Sequence, residues 1–188
     1  MKEIKIAQTR TDDKVTIDMW FKTLDQLFDA SDPFPFPDKE LTDMAEDAIS
    51  ESFIDLSLRK DVDLVLHIPK GSVNPGDEDQ LANAVRRHFS FRLDDLAREK
   101  KSSWREGKVS VQIAIITLAL SIVVFYLYYL SPEVGFAFQL MIGVFIIINW
   151  VTIWHTYEYF VYDYRKLWRK YRVYDMLTRV NVVIQQTY

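Results

Sequence analysis

The side chains that most often carry out chemistry in proteins are sparse in this sequence. The three histidines, His67, His88 and His155, are far apart, and none falls in a metal-ligand spacing. We expect His67 on the less apolar face of a strand, His88 on a helix surface and His155 at a membrane interface. The chain has no cysteine, which excludes disulfides, zinc–thiolate sites, iron–sulfur clusters and thiol nucleophiles. We therefore expect no metal and no cofactor.

Acidic residues cluster at Asp61 and Asp63, at Asp94 and Asp95, and at residues 77–79. Such clusters suit solvated turns and helix starts better than paired catalytic carboxylates. With five glycines in the whole chain, there is no phosphate-binding loop, nucleophile elbow or dinucleotide fingerprint. The sequence thus indicates no catalytic residue and no small-molecule substrate, and we expect that the protein is not an enzyme.

The strongest pattern is a pair of long uncharged segments that must position everything else. Glu133 is the one Asp, Glu, Lys or Arg in residues 109–155. As helices, residues 109–130 and 134–154 would extend roughly 33 and 31 Å, which matches a hydrocarbon core of about 30 Å. Helices in soluble cores rarely stay uncharged around their whole circumference for that length. We predict two transmembrane helices joined by a tight turn at Pro132, which cannot continue the first helix's hydrogen bonds.

Charge on either side of these segments predicts their orientation. Residues 80–108 contain eight Lys and Arg against four acidic residues, and residues 156–188 contain six against three, whereas the connecting turn has no basic residue. Basic flanks stay in the cytoplasm according to the positive-inside rule. We expect a multi-pass protein of the plasma membrane with both termini cytoplasmic.

Small and polar residues recur in both spans and predict a helix-packing seam. Its members are Ser110, Ala114, Thr117 and Ser121 on the first span and Gly135, Gln139, Gly143 and Asn149 on the second. Small residues let two backbones approach closely, and amides can hydrogen-bond between helices or between protomers. A pore lined by Gln112, Gln139 and Asn149 is the alternative. We favour packing, since proton and ion pathways usually contain an ionisable group at mid-depth and these spans have none.

Outside the spans, hydrophobic alternation predicts a small sheet. Residues 14–21 and 61–68 alternate as half-buried strands. Residues 3–7 can pair with the first of these strands across a turn at residues 9–13. Residues 180–184 alternate in the same way and can add a strand to the sheet edge.

Helical spacing predicts two further elements. Residues 38–58 form a helix, with Asp38 as its N-cap and Glu40 in its first turn. A second helix covers residues 78–108 and continues into the first span. The expected fold class is α+β, a small cytoplasmic β-α-β-α domain joined by a helical stalk to a two-helix transmembrane hairpin, then a C-terminal helix and a possible added strand.

These elements give four expected regions. They are an acidic cytoplasmic α/β domain over residues 1–77, a juxtamembrane helix over 78–108, the two-span hairpin over 109–154, and a basic aromatic juxtamembrane helix with a C-terminal strand over 155–188. A sheet of two or three strands with one helix buries little area alone, so the second helix and the C-terminal strand are expected to complete it.

Residues 31–38, SDPFPFPD, form the most distinctive short string. Alternating proline favours an extended path, with Phe34 and Phe36 projecting between the prolines. The rings either dock a partner or pack on the domain's own surface as a strap. Through this string and the acidic amphipathic helix after it, SDPFPFPDKEL onward, the chain resembles uncharacterised prokaryotic membrane proteins with an N-terminal cytoplasmic domain ahead of two transmembrane helices. The resemblance covers most of the chain, implies this architecture and transfers no functional residue.

The segment after the second span combines aromatic rings with basic residues. The basic members, proposed to contact lipid headgroups, are Arg165, Lys166, Arg169, Lys170 and Arg172. The segment is either an interfacial helix on anionic lipid or a continuation of the span that packs against residues 85–105. Nucleic-acid binding is not expected, because proximity to a membrane explains the same composition.

We therefore expect a non-enzymatic integral membrane protein. It would be an anchor, a scaffold or an accessory subunit of an oligomeric membrane assembly, with its domain at the cytoplasmic face. Its expected partners are membrane lipid and either a second copy or another membrane protein. The alternatives are a small oligomeric channel or transport subunit and an anionic-lipid-sensing module.

Overall fold

The computed structural model of the protein is α+β and combines a four-stranded mixed sheet with long helices, two of them apolar. It describes residues 4–11, 14–35, 38–54, 56, 61–74, 76–130 and 135–187. The chain divides into two compact units, which we call the sheet unit (residues 1–96 with 169–188) and the hairpin unit (residues 97–168).

The sheet unit contains four strands in the spatial order β1-β2-β3-β4. They are β1 (Lys5–Thr11), β2 (Lys14–Trp20), β3 (Val62–Ile68) and β4 (Asn181–Gln186). Strand β1 is antiparallel to β2, whereas β2, β3 and β4 run parallel to one another. The predicted strands are confirmed, and the C-terminal strand joins the sheet edge beside β3.

The turn predicted between the first two strands is too long. Thr9 pairs with Thr16 and Thr11 pairs with Lys14, so the ladder continues through residues that we expected in the turn. Backbone hydrogen bonds extend the strand through these polar residues, because strand pairing does not require apolar side chains. Residues 12 and 13 lie outside the described residues.

The helical elements differ greatly in length. They are α1 (Leu24–Leu27), α2 (Asp43–Ile54), α3 (Glu78–Leu130), α4 (Phe136–Glu158), a π-helical segment (Tyr159–Tyr164) and α5 (Arg165–Leu177). The last three are consecutive and form one helix over Phe136–Leu177. This continuity agrees with the continuation account of the basic aromatic segment. The turn predicted at residues 131–133 lies outside the described residues.

The core of the sheet unit uses one face of the sheet. On β2, Val15, Ile17 and Met19 are buried, while the residues between them are half-buried, as the two-residue period of a strand requires. The helices contribute Ala45, Ile49 and Phe53 from α2, Leu81, Val85 and Phe89 from α3, and Val173, Tyr174 and Leu177 from α5. Residues on both sides of the hairpin unit in sequence therefore build one core.

Helix α2 begins later than predicted, at Asp43, and Asp38 is not its N-cap. Leu41 is extended instead, because it forms a β-bridge with Phe28 and is buried in the core. Thr42 takes over the cap, and its Oγ1 accepts a hydrogen bond from the backbone N–H three residues on at 3.2 Å. Tertiary packing thus overrides a sequence signal that fits the helix equally well.

The extended segment before α2 is shaped by side-chain hydrogen bonds. Asp32 accepts from the backbone N–H of Phe34 at 3.0 Å and from that of Glu40 at 2.7 Å. Asp38 pairs with Arg87 of α3 at 2.6 Å. Glu40 is therefore exposed in this segment rather than placed in the first turn of a helix.

Candidate functional site

Two helices of the protein are long and apolar enough to cross a membrane: α3 and the helix over Phe136–Leu177. In their most apolar windows of 18 residues, 0% and 6% of the residues are buried within the protein. The core helix of a soluble protein would have most of such a window covered. Ile116, Tyr129, Ile147 and Trp150 are each more than 60% exposed. Large apolar side chains are therefore left uncovered along both helices, which is rare for a surface in water.

The buried side chain of α4 is polar. Asn149 of α4 is 8% exposed. Its Nδ2 donates to the carbonyl oxygens of Thr117 at 3.3 Å and Phe145 at 3.0 Å, and to Oγ of Ser121. Its Oδ1 is buried without a hydrogen-bond partner among the described residues. Asn149 and the predicted seam residues of the first span therefore meet inside the hairpin.

The seam extends further along α3 than the sequence analysis predicts. Ser110 and Thr156 share a hydrogen bond of 2.8 Å between their hydroxyls. Before Ser110 in the same three- and four-residue rhythm lies Gly107, where a Cβ would stand 2.8 Å from ring atoms of both Tyr159 and Phe160. Only glycine allows this approach without moving a ring. The rhythm itself was the signal that could have identified this residue.

The predicted seam on α4 is brought together only in part. Gln139 is exposed, and a Cβ at Gly135 or Gly143 would meet nothing within 4 Å. Residues turned toward α3 instead include Asn149 and Thr156. Glycine spacing does not specify which helix face is used, whereas a buried amide must face its partners. Contact of the other face with a second copy stays a prediction.

Aromatic rings close the hairpin unit beside the π-helical segment. Trp104 of α3 lies 6.0 Å from Phe160 and 5.4 Å from Tyr164 between ring centroids, and Tyr159 hydrogen-bonds to Ser103. A π-helical turn adds a residue to the helix, so the side chains after it are rotated relative to α-helical spacing. Phe160 and Tyr164 both pack on Trp104.

The residues predicted to contact lipid headgroups lie on α5, directly after the π-helical segment. Arg165, Lys166, Arg169 and Lys170 are exposed, and Arg172 is half-buried. Lys170 Nζ stands 5.4 Å from the ring centroid of Tyr174, a cation–π contact. Headgroup contact by these residues stays a prediction.

A buried carboxylate in the sheet unit is the most connected polar group that the sequence analysis missed. Glu46 of α2 is 8% exposed. Its Oε2 accepts hydrogen bonds from His88 Nε2 and Arg92 Nε, both at 3.0 Å, and its Oε1 accepts from the Tyr174 hydroxyl at 2.6 Å. One carboxylate thus joins α2 to α3 and to α5.

The partners of Glu46 keep it ionised. Burial alone would raise its pKa, but hydrogen bonds from His88 and Tyr174 and the charge of Arg92 outweigh burial and lower the pKa of Glu46 to about 2. The pKa of Tyr174 is raised by burial and by its hydrogen bond to Glu46. The cluster therefore holds a stable negative charge on Glu46 and a neutral phenol on Tyr174.

His88 is not on a helix surface, as we predicted, but 7% exposed inside this cluster. The backbone N–H of Leu41 donates to its Nδ1 at 3.3 Å, so the ring proton lies on Nε2 and is donated to Glu46. Local spacing does not predict the cluster, because Glu46 lies 42 residues from His88 and 128 residues from Tyr174 in the sequence. The sequence did contain a signal, since Glu46 lies beside the apolar stripe of α2 that includes Ala45.

His67 lies on β3, on the sheet face opposite the core, which confirms its expected place. Its ring stacks on Trp20 with centroids 4.6 Å apart. Its Nε2 is 2.9 Å from Asp18 and its Nδ1 is 2.8 Å from the Thr187 hydroxyl. Both ring nitrogens are satisfied, and the arrangement ties β2, β3 and the end of β4 together.

The two rings proposed for partner docking have separate outcomes. Phe34 is 61% exposed, so it does not pack on the domain's own surface as the strap account requires. It lines a cavity of about 320 Å³ with Arg87, His88 and Phe91, among others. Phe36 lies outside the described residues. Docking of a partner at Phe34 stays a prediction.

No group of three or more His, Asp or Glu side chains in the described part of the chain could hold a metal ion. Comparison with known protein families, with curated proteins and with solved structures gives no match. What the geometry offers is therefore an apolar outer surface on the hairpin unit and a tightly connected charge cluster in the sheet unit.

Proposed function

We propose that this chain is a non-enzymatic integral membrane protein that holds its sheet unit at the cytoplasmic face of the plasma membrane. The observation that carries the proposal is the reversed polarity of the hairpin unit, in which Asn149 faces inward while Ile147 and Trp150 face outward. In hydrocarbon, polar groups must be satisfied within the protein and apolar side chains need no cover. In water, the same surface would be costly.

The strand pairing supports a topology in which both termini share one side. Strand β3 precedes the two apolar helices and β4 follows them, and the two strands pair over six residues from Asp63–Asn181 to Ile68–Gln186. Two crossings return the chain to the side from which it left. The basic flanks before and after the hairpin favour the cytoplasmic side.

An outward amide of the hairpin unit supports a role in an assembly. Gln139 is exposed, and an amide in contact with lipid lacks the hydrogen bonds that a partner helix could supply. We infer self-association or a membrane-protein partner, with the protein as an anchor or accessory subunit. The channel alternative is less well supported, because Asn149 already donates within its own hairpin.

Single-cysteine labelling tests the proposed topology, and because the chain has no natural cysteine, only the introduced residue can react. We would compare Gln8→Cys and Gln185→Cys, on exposed positions of β1 and β4, with Gly135→Cys at the start of α4. A membrane-impermeant maleimide should label Gly135→Cys in intact cells and the other two only after permeabilisation. Labelling of Gln8→Cys and Gln185→Cys in opposite compartments, or a chain that stays soluble without detergent, would overturn the proposal.

Oligomeric state tests the second part of the proposal. Mass photometry of detergent-solubilised protein should show an oligomer or a co-purifying membrane protein. A strict monomer without a partner would contradict the role in an assembly and leave the topology standing.

A further inference from the structure

The exposed side of α3 contains a basic stripe next to the start of the uncharged segment. Arg98, Lys101, Arg105 and Lys108 recur at intervals of three and four residues, and Gln112 continues the series; all five are exposed. At about 100° per residue, this stripe lies on the side of the helix opposite to Gly107 and Ser110, which contact the second helix. The stripe therefore faces away from the hairpin's own interior.

Lys101 and Arg105 of the stripe form no ion pair with any described residue, unlike Arg87, which is paired with Asp38. Lys108 Nζ lies 5.7 Å from the ring centroid of Trp104, and this cation–π contact leaves the ammonium charge without a counter-ion among the described residues. Arg105 lines an open cavity of about 380 Å³ together with Ser102, Glu106 and Val109. This cavity lies where the charged sequence ends and the uncharged run begins.

We propose that Arg105, Lys108 and Gln112 form a binding site for the phosphate group of an anionic phospholipid. This inference rests on the proposed membrane insertion. If the hydrocarbon core begins near Val109, Arg105 lies about 6 Å outside it and Gln112 about 5 Å inside it along the helix. The two cations then face the headgroup phosphate, and the Gln112 amide donates to the phosphate or an ester oxygen.

Two observations favour this place over the basic residues of α5. The first is distance. Glu158 is the first charged residue after the second span, and Arg165 lies about 10 Å further along the helix. This distance exceeds the thickness of a headgroup layer, about 7 Å. The second is Gln112, because an exposed amide one turn into an apolar span needs a hydrogen-bond acceptor that hydrocarbon does not supply. A lipid headgroup provides such an acceptor.

Binding is tested with the full-length, delipidated protein in neutral detergent, titrated with phosphatidylglycerol or phosphatidylcholine and followed by native mass spectrometry. Each basic residue near an anionic surface contributes about fivefold, so the double variant Arg105→Gln with Lys108→Gln should bind phosphatidylglycerol about 30-fold more weakly. Phosphatidylcholine binding should change little. Gln112→Leu should weaken phosphatidylglycerol binding by about fivefold or less.

The matched control removes the same charge elsewhere, with Arg165→Gln and Lys166→Gln. An equal loss in both double variants would overturn the inference in favour of diffuse attraction, and no loss in either would overturn it outright. Retention of the chain in membranes after alkaline carbonate extraction separates the two proposals. A chain that is retained but binds phosphatidylglycerol no better than phosphatidylcholine would contradict only the lipid site. A chain that is extracted would contradict the membrane proposal.

Discussion

The two units of the protein bury opposite kinds of side chain. The sheet unit buries Phe21, Phe53 and Phe89 completely, as a domain in water does. The hairpin unit leaves Ile116 and Trp150 exposed and turns polar side chains inward. One chain thus follows two patterns of burial, and the difference supports the proposal that the two units are adapted to different solvents.

Glu46 in the sheet unit and Asn149 in the hairpin unit are both buried polar residues, and they differ in charge. Both oxygens of Glu46 are hydrogen-bonded, and the charge of Arg92 lies against the carboxylate. Asn149 is neutral and has one unsatisfied oxygen. A fully paired ion is tolerable in a domain surrounded by water, whereas a bilayer makes an ion far more costly than an amide.

The largest expected effect comes from removing the charge of the sheet unit. Glu46→Ala leaves Tyr174 and His88 with buried donors and no acceptor, so it should lower the free energy of unfolding by about 3 kcal/mol. Denaturant unfolding followed by circular dichroism measures this loss. Glu51→Ala, at an exposed position of the same helix, should stay within about 0.5 kcal/mol. Equal effects of the two variants would mean that the cluster does not stabilise the unit.

Acid should remove the same stabilisation without a mutation. The pKa of Glu46 is lowered from 4.5 to about 2, so its contribution is complete above the unfolded pKa and is lost as pH falls through this window. Between pH 5 and pH 3 we expect a loss of about 2 kcal/mol relative to Glu46→Gln. Parallel pH curves for the natural chain and the variant would contradict the assigned pairing.

A charge introduced at Asn149 should destabilise the hairpin unit, whereas a charge at an exposed position of the sheet unit should not. Asn149→Asp should destabilise the hairpin by about 2 kcal/mol, because an ion replaces a neutral amide among acceptors in an apolar medium. Asn83→Asp, at an exposed position of α3 in the sheet unit, is the matched control. Unfolding in lipid vesicles measures both variants, and an equal, small cost would argue that residue 149 is in contact with water.

The smallest expected effect separates the packed glycine of the hairpin from an open one. Gly107→Leu should cost about 1.5 kcal/mol, because its side chain must displace the rings of Tyr159 and Phe160. Gly143→Leu has open space and should leave the stability of the single chain unchanged. Thermal unfolding measures both. A loss of oligomer for Gly143→Leu alone would support the predicted contact with a second copy.

The sequence predicts well those elements whose pattern is long. Helix α3 and the apolar run of α4 each continue one pattern over many residues, which leaves few alternative structures. The start of α2 was wrong because the pairing of Leu41 with Phe28 competes with helix formation at Asp38. That competition depends on a contact that local spacing does not contain.

The polar centres were harder to predict for a related reason. Glu46, His88 and Tyr174 come from three separate helices, so no local motif joins them. In the hairpin, the seam on α3 was largely predictable because small residues repeat there. Its counterpart on α4 was not, since the amide of Asn149 rather than the glycine spacing determines which face is used.

The most direct test of the central claim asks what surrounds the apolar face of the hairpin. A spin label on Ile147→Cys in proteoliposomes should collide often with oxygen, which dissolves in hydrocarbon, and rarely with a water-soluble nickel chelate. A label on Gln8→Cys of the sheet unit should show the reverse ratio. Frequent nickel collisions at residue 147 in the full-length protein would contradict the account, because the residue would then face water.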